Sequence, residues 1–94
     1  MTAINELLLE AVKKGRLNDV ARYLQEGANA KDETGSTPLH AAVDLGHKDV
    51  AEMLIAKGAD LNAKTHTGMT PLGSAVGWVR TDVAELLKKH GAVE

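Results

Sequence analysis

Apolar residues recur at helical spacing from the beginning of the chain. Within residues 3–14 they stand three or four positions apart, which places them on one face of an α-helix. The members of this first stripe are Ile4, Leu7, Leu8, Ala11 and Val12. Gly15 interrupts the stripe, and a second one continues from Leu17 to Leu24 before Gly27. The pattern therefore predicts two short helices joined by a tight turn and ended by a glycine.

A longer period is superimposed on this helical pattern. The frame Thr-Pro-Leu-His-Ala-Ala at residues 37–42 returns as Thr-Pro-Leu-Gly-Ser-Ala at residues 70–75, 33 positions later. In both copies the threonine can cap free backbone N–H groups, and the proline occupies the first helical position, where its missing N–H costs nothing. A period of this length indicates stacked units that cannot bury their apolar faces alone.

The first segment belongs to the same series. Leu8, Ala11 and Gly15 align with Leu39, Ala42 and Gly46 at a distance of 31 residues, although the Thr-Pro start is missing. On the frame at residues 37–42 and its copy at 70–75, the chain resembles the ankyrin repeat family. The resemblance implies an all-α solenoid of paired antiparallel helices joined by loops or β-hairpins. We expect one domain over residues 1–94, with repeats at about 1–30, 31–63 and 64–94.

Polar residues replace apolar ones in the outer units. Asp19 stands at the position of Val50 in the second unit, and Lys88 at that of Ile55. Terminal repeats of a solenoid need polar outer faces. We therefore expect an N-terminal cap, one internal repeat and a C-terminal cap, which together form a complete array.

The third unit departs from the pattern at two positions. Gly73 stands at the position of His40, and Val79 at that of the turn residue Gly46, while Gly77 comes two residues earlier. In ankyrin repeats, this histidine ties its helix start to the backbone of the adjoining connection. The resemblance therefore implies a less firmly held third unit, and the glycine pattern predicts that its turn is displaced.

Composition restricts the kind of function. The chain is 44% hydrophobic and 26% charged, as in globular proteins, and its net charge of -2 provides no electrostatic reason to bind nucleic acid or an anionic membrane. The absence of cysteine excludes disulfides, thiolate metal sites and cysteine nucleophiles. Since no basic segment precedes an apolar stretch near Met1, we expect a cytoplasmic location. We also expect a monomer.

Three features could suggest chemistry, but each has a structural interpretation. His40 is structural by the resemblance, and the other histidines lack zinc-binding spacing. Ser74 lacks the G-x-S-x-G frame of a nucleophile and corresponds to the packing residue Ala41. The glycines of residues 73–77 lack the Lys-Ser/Thr partner of a phosphate loop. We therefore predict no catalytic residue, no metal site and no cofactor.

The resemblance implies binding to another protein through the loop tips and the concave surface of the first helices. The positions carried over are Glu33, Thr34, Ser36, Asp44, Leu45, Lys57, Lys64, His66, Thr67, Met69, Gly77, Trp78 and His90. The bulky apolar members are Leu45, Met69 and Trp78. An exposed tryptophan is typical of interface hot spots, whereas tryptophans are highly buried on average. Trp78 could thus instead fold inward and cover the thin third unit.

The sequence leaves two functional hypotheses. The first is a non-catalytic protein–protein interaction module. The alternative is an engineered or reconstructed stable ankyrin scaffold with no dedicated ligand, which the near-regular period also permits.

Overall fold

Six helices form the part of the chain that the structure, a computed structural model, describes: residues 4–26 and 34–93. They are α1 (Ile4–Lys14), α2 (Leu17–Gln25), α3 (Pro38–Leu45), α4 (Lys48–Ala56), α5 (Pro71–Gly77) and α6 (Thr81–Lys89). Neither described range contains a strand. The expected all-α fold is confirmed, and the described connection between α4 and α5 is a loop rather than a β-hairpin. The helix end predicted at Gly27 lies outside the described residues.

The starts of α3 and α5 follow the same chemistry. The Thr37 hydroxyl oxygen accepts a hydrogen bond from the backbone N–H of His40 at 3.3 Å. In the same way, the Thr70 hydroxyl accepts one from the N–H of Gly73 at 3.1 Å. A proline follows each threonine at the first helical position. The capping role predicted for both threonines is confirmed.

The helices stack in two layers. In the inner layer α1 packs on α3 and α3 on α5, whereas in the outer layer α2 packs on α4 and α4 on α6. Ala42, Ala51 and Ala75 are completely buried, and such small side chains allow neighbouring helices to approach closely. The stack measures 36 × 25 × 20 Å. The longest of the described helices has 11 residues, and none of them could span a membrane.

The turns within the three helix pairs occupy equivalent positions. Gly15, Gly46 and Val79 all have positive φ angles, of 69°, 73° and 57°. The third turn is closed by a hydrogen bond of 2.7 Å from the backbone N–H of Arg80 to the carbonyl oxygen of Ala75. The same bond recurs in the first two pairs, at 3.0 and 2.9 Å. All three turns are therefore in register.

The expected displacement of the third turn is wrong. Gly77 remains the last residue of α5, and Val79 itself adopts the left-handed conformation. A β-branched residue is strained there, because its Cβ approaches the following carbonyl oxygen. The hydrogen bond that closes the turn and the packing of α5 on α3 thus outweigh the local preference of valine.

The outward side of the third helix pair is not uniformly polar. Val76 is 49% exposed, whereas the equivalent Val43 in α3 is fully buried. Val79 is 79% exposed. Lys88, where a polar residue was expected to cap the array, is also exposed. The polar substitution in α6 therefore coexists with apolar side chains open to solvent beside α5.

Candidate functional site

A concave groove of about 670 Å³ runs across the inner helices and the connections that precede them. Its lining residues come from α3, α5, the start of the second helix pair and the loop at residues 65–69. They are Thr34, Ser36, His40, Asp44, Thr65, His66, Thr67, Met69, Gly73, Ser74, Gly77 and Trp78. The groove therefore lies where the second and third helix pairs meet.

The floor of the groove is open because α5 carries two glycines there. Gly73 and Gly77 stand one turn apart and present only backbone. Met69 and Trp78 flank them and are 45% and 61% exposed. A Cβ at Gly73 would come within 2.9 Å of the Met69 sulfur, so a larger residue would force the methionine aside. Both apolar walls are accessible from solvent.

His40 has a structural role in the groove, where it links the start of α3 to the loop before α5. It is 1% exposed, and its Nε2 lies 2.9 Å from the carbonyl oxygen of Met69. Because a carbonyl can only accept, Nε2 carries the proton, while Nδ1 accepts from the backbone N–H of Thr37 at 3.1 Å. The ring is therefore the neutral Nε2–H tautomer with both nitrogens occupied. The predicted tie to the adjoining connection is confirmed.

A tight turn shapes the loop side of the groove. The backbone N–H of Thr65 donates to the carbonyl oxygen of Met69 at 3.0 Å, and the Met69 N–H donates to the Thr65 hydroxyl at 3.1 Å. The N–H of His66 donates to the carbonyl oxygen of Thr34 at 2.8 Å, which joins two successive connections. The His66 ring lies against Gly35, where a Cβ would come within 2.9 Å of it. The loop is thus fixed before any partner binds.

Neighbouring helix pairs are also joined by side chains that follow the turns. The His47 Nε2 donates to the carbonyl oxygen of Lys13 at 3.0 Å, and the Arg80 guanidinium donates to that of Asp44 at 2.9 Å. The two donors occupy equivalent positions, as do the two acceptors. Each ring or guanidinium also covers the turn glycine of the preceding pair; a Cβ at Gly46 would lie 3.1 Å from the Arg80 Nη1.

Sequence reasoning missed these contacts between pairs. It assigned no role to His47 or to Arg80. A signal was present, because the residue after each turn carries a side-chain N–H donor: Arg16, His47 and Arg80. Only the stacking of the pairs shows that the second and third donors reach a carbonyl of the pair before.

Few formal charges lie among the lining residues that the structure describes. Of these, Asp44 is the one carboxylate, and none is a lysine or an arginine. Within residues 4–26 and 34–93, the one ion pair joins Lys14 and Glu10 at 2.7 Å on the exposed face of α1. The hydrogen bond from Lys14 and its charge lower the pKa of Glu10 below the usual range. In the described part of the chain, no three His, Asp or Glu residues are placed to hold a metal ion.

The structure gathers eight of the thirteen sequence-predicted binding positions into this groove. Those eight are Thr34, Ser36, Asp44, His66, Thr67, Met69, Gly77 and Trp78. Lys57 and His90 instead follow the ends of the outer helices, and Lys64 and Leu45 lie outside the lining. Glu33 lies outside the described residues. The lining residues absent from the prediction are His40, Thr65, Gly73 and Ser74.

Trp78 does not cover the third helix pair. It follows the last residue of α5, and 61% of its surface is exposed, so the alternative that it folds inward is wrong. Leu45, the last residue of α3 and the equivalent of Trp78 in the second helix pair, is 47% exposed but lies outside the groove lining. The tryptophan therefore stands at the edge of the groove, with its ring available to a ligand.

Part of the sequence is similar to segments of known proteins. Human ankyrin repeat domain-containing protein 49 is 48% identical over 60 residues, which cover 61% of this chain and 25% of the relative. Acyl-CoA-binding domain-containing protein 2 of Arabidopsis thaliana is 40% identical over 62 residues, or 60% of this chain and 18% of the relative. Human 2-5A-dependent ribonuclease is 41% identical over 59 residues, which cover 60% of this chain and 8% of the relative.

The similarity to these relatives is confined to one part of each. The matched segment spans a quarter or less of their lengths. A sequence model of the family described as ankyrin repeats, in three copies, matches residues 8–93. That match covers all six helices apart from the first residues of α1. The chain belongs to the ankyrin repeat family.

Proposed function

We propose that this protein binds another protein through the groove between its second and third helix pairs. Ankyrin repeats are generally protein–protein interaction modules. The observation that carries the proposal is the exposure of Met69 and Trp78 on either side of a glycine floor. Large apolar side chains left open beside a concavity are typical of binding surfaces.

The groove is well suited to gain affinity from few residues. Tryptophan is among the side chains that contribute most to interfaces, where truncation of one such residue costs about 2 kcal/mol or more. His40 and the turn at residues 65–69 fix the groove by hydrogen bonds, so little conformational freedom is lost when a partner binds. Recognition then depends on Trp78 entering a cavity or covering a side chain of the partner.

The proposed role is non-catalytic, as ankyrin repeat proteins typically are. Both nitrogens of His40 are engaged by backbone groups, so this histidine is not available as a general base. The ribonuclease named above matches this chain over 8% of its own length, and its activity belongs to that protein as a whole. The proposal therefore assigns to the groove binding only.

The proposed surface is narrower than the one predicted from the sequence. It comprises the groove lining and omits Lys57 and His90, which follow outer helices on the other layer. Leu45 and Lys64 are kept as positions that a large partner would reach beyond the groove. We further propose a monomer that acts in the cytoplasm, as expected from the sequence.

Affinity capture from a cell lysate tests the proposal with two matched variants. The wild-type protein, Trp78→Ala and Val93→Ala are immobilised in turn; Val93 is 59% exposed but lies outside the groove. We expect a protein that wild type and Val93→Ala recover and that Trp78→Ala loses. Equal recovery by all three variants would contradict the proposal and favour a scaffold without a dedicated ligand.

A further inference from the structure

We propose that the partner of this groove presents a positively charged side chain, arginine or lysine, which stacks on Trp78 and pairs with Asp44. This inference rests on the proposed function, because it specifies the chemistry of the ligand for the same groove. It follows from the charges in the groove, from the exposed aromatic ring and from the shape of the floor between them.

The charged carboxylate among the described lining residues is unpaired. Of those residues, Asp44 supplies the one carboxylate, and none is a lysine or an arginine. Within the described ranges its carboxylate is in no ion pair, since the one such pair joins Lys14 and Glu10. Arg80 approaches Asp44 through the backbone carbonyl instead. A cationic ligand therefore matches the groove better than an anionic one.

The aromatic wall favours the same ligand. Trp78 is 61% exposed, and the face of an indole attracts ammonium and guanidinium groups more strongly than other aromatic rings do. Asp44, in the last turn of α3, and Trp78, directly after α5, line the same groove. A cation between them would meet a carboxylate on one side and a π face on the other.

The floor between these two residues accommodates a long side chain. Gly73 and Gly77 contribute no side chains to the part of α5 that faces the groove, and the exposed Met69 borders the same space. Lysine and arginine both carry apolar stems that pack on such surfaces while their charged ends remain hydrated or paired. The groove thus offers apolar contact for the stem and Asp44 for the charged end.

A purely apolar partner is less well matched. It would cover Met69 and Trp78, but it would also remove water from the Asp44 carboxylate without replacing the lost hydrogen bonds. Burial of an unpaired charge is costly. Among the described lining residues, the ionisable side chains other than Asp44 are the imidazoles of buried His40 and exposed His66. Asp44 is therefore the carboxylate of that set that can pair with a cation.

A titration with small probes tests the inference without the protein partner. Isotopically labelled protein is titrated with Nα-acetyl-arginine amide and with Nα-acetyl-citrulline amide, which has nearly the same shape but no charge. We expect saturable NMR shifts of the Trp78 indole N–H and of the Gly73 and Gly77 amides. Citrulline should bind about fivefold more weakly, the equivalent of a solvent-accessible ion pair and cation–π contact.

Variants separate the two contacts. Asp44→Asn and Trp78→Leu should each weaken arginine binding about threefold to fivefold, with the glycine amides as reporters. Glu52→Gln, which removes an exposed carboxylate from α4, should leave binding unchanged. Retention of the amide spectrum in each variant shows that the fold persists.

Equal responses to arginine and citrulline, or unchanged binding by Asp44→Asn, would overturn the inference. Shifts that cluster outside the groove would do the same. Such results would leave the proposed function standing if the capture experiment still yields a partner lost in Trp78→Ala. A failed capture experiment, in contrast, removes the proposed function whatever the probes show.

Discussion

The carbonyl oxygen of Asp44 accepts a hydrogen bond of 2.9 Å from the guanidinium of Arg80, 36 residues later in the chain. The last carbonyls of a helix have no partner within that helix, and a cation there also complements the helix dipole. His47 does the same for the carbonyl of Lys13 with an imidazole N–H. The second and third helix pairs therefore each supply a donor to a carbonyl near the end of the inner helix of the preceding pair.

Replacement of Arg80 by methionine should weaken the contact between the second and third pairs. Arg80→Met keeps most of the apolar stem but removes the donor, and we expect a loss of about 1 to 2 kcal/mol in the free energy of unfolding. Urea denaturation measures this loss. Arg16→Met is the matched control, because Arg16 holds the equivalent position before α2 and is exposed. Similar losses in both variants would show that the bond to Asp44 contributes nothing specific.

Val79→Gly should stabilise the protein. Val79 has a φ of 57° and is 79% exposed, so glycine relieves strain and sacrifices little buried surface. After allowance for the greater freedom of glycine in the unfolded chain, we expect a gain of about 0.5 to 1 kcal/mol. Val76→Gly, within α5, should instead destabilise by about 0.5 to 1 kcal/mol. A stability decrease in Val79→Gly, measured by thermal unfolding, would argue against strain at this turn.

His40→Ala should be the most damaging of these changes. The imidazole bridges the Thr37 N–H and the Met69 carbonyl while it is almost fully buried. Its removal leaves the partly buried Thr37 N–H without its acceptor and creates a cavity, for which we expect a loss of about 2 to 4 kcal/mol. His66→Ala, at an exposed loop position, should cost about 0.5 kcal/mol or less. Comparable denaturation midpoints for the two variants would contradict the bridging role.

Fluorescence of the free protein should report an exposed indole. Trp78 is the single tryptophan, and its exposed fraction of 61% predicts red-shifted emission that acrylamide quenches readily. Trp78→Ala should change the free energy of unfolding by about 0.5 kcal/mol or less, because little surface is uncovered. Blue-shifted emission protected from acrylamide would instead mean that the ring packs inward.

The carboxyl of Glu10 should titrate below its usual range. Lys14 donates a hydrogen bond of 2.7 Å to this carboxylate, which lowers its pKa. The resulting stabilisation is present above the pKa that the Glu10 carboxyl has in the unfolded chain. It is lost as pH falls through the lowered pKa of this carboxyl in the folded protein. Because the pair is exposed, the effect on unfolding should be small and weaker in salt. NMR titration should show the pKa rising in Lys14→Met; a shift of the same size in Lys13→Met would contradict the assignment.

Local sequence patterns predicted the helices and their starts because these depend on neighbouring residues. Thr37 and Thr70 cap their helices as expected, and the 33-residue period predicted the stacking of helix pairs. The turn at Val79 was predicted incorrectly, since the preference of glycine for positive φ was given more weight than the closing hydrogen bond from Arg80 to Ala75. Tertiary packing decided a conformation that propensity alone opposed.

The sequence predicted some residues of the groove but not the contacts that depend on how the helix pairs stack. Asp44, Met69 and Trp78 could be placed on the concave side by their positions in the repeat. The role of Gly73 could not, because an absent side chain shows no binding chemistry in the sequence and becomes visible only as an open floor. The link from Arg80 to Asp44 depends on how helix pairs stack, which no short motif specifies.

Gly46 has a role in its own helix pair and in the contact with the next pair. Its φ of 73° turns the chain between α3 and α4, and its missing Cβ leaves room for the Arg80 guanidinium of the next pair. A side chain at this position would strain the turn, and it would also crowd the Arg80 guanidinium at the interface with the next pair. Cooperativity between neighbouring units is the main reason that a solenoid unfolds as a whole rather than unit by unit. In this protein, Gly46 contributes to that cooperativity because the absence of its side chain allows the second and third pairs to pack closely.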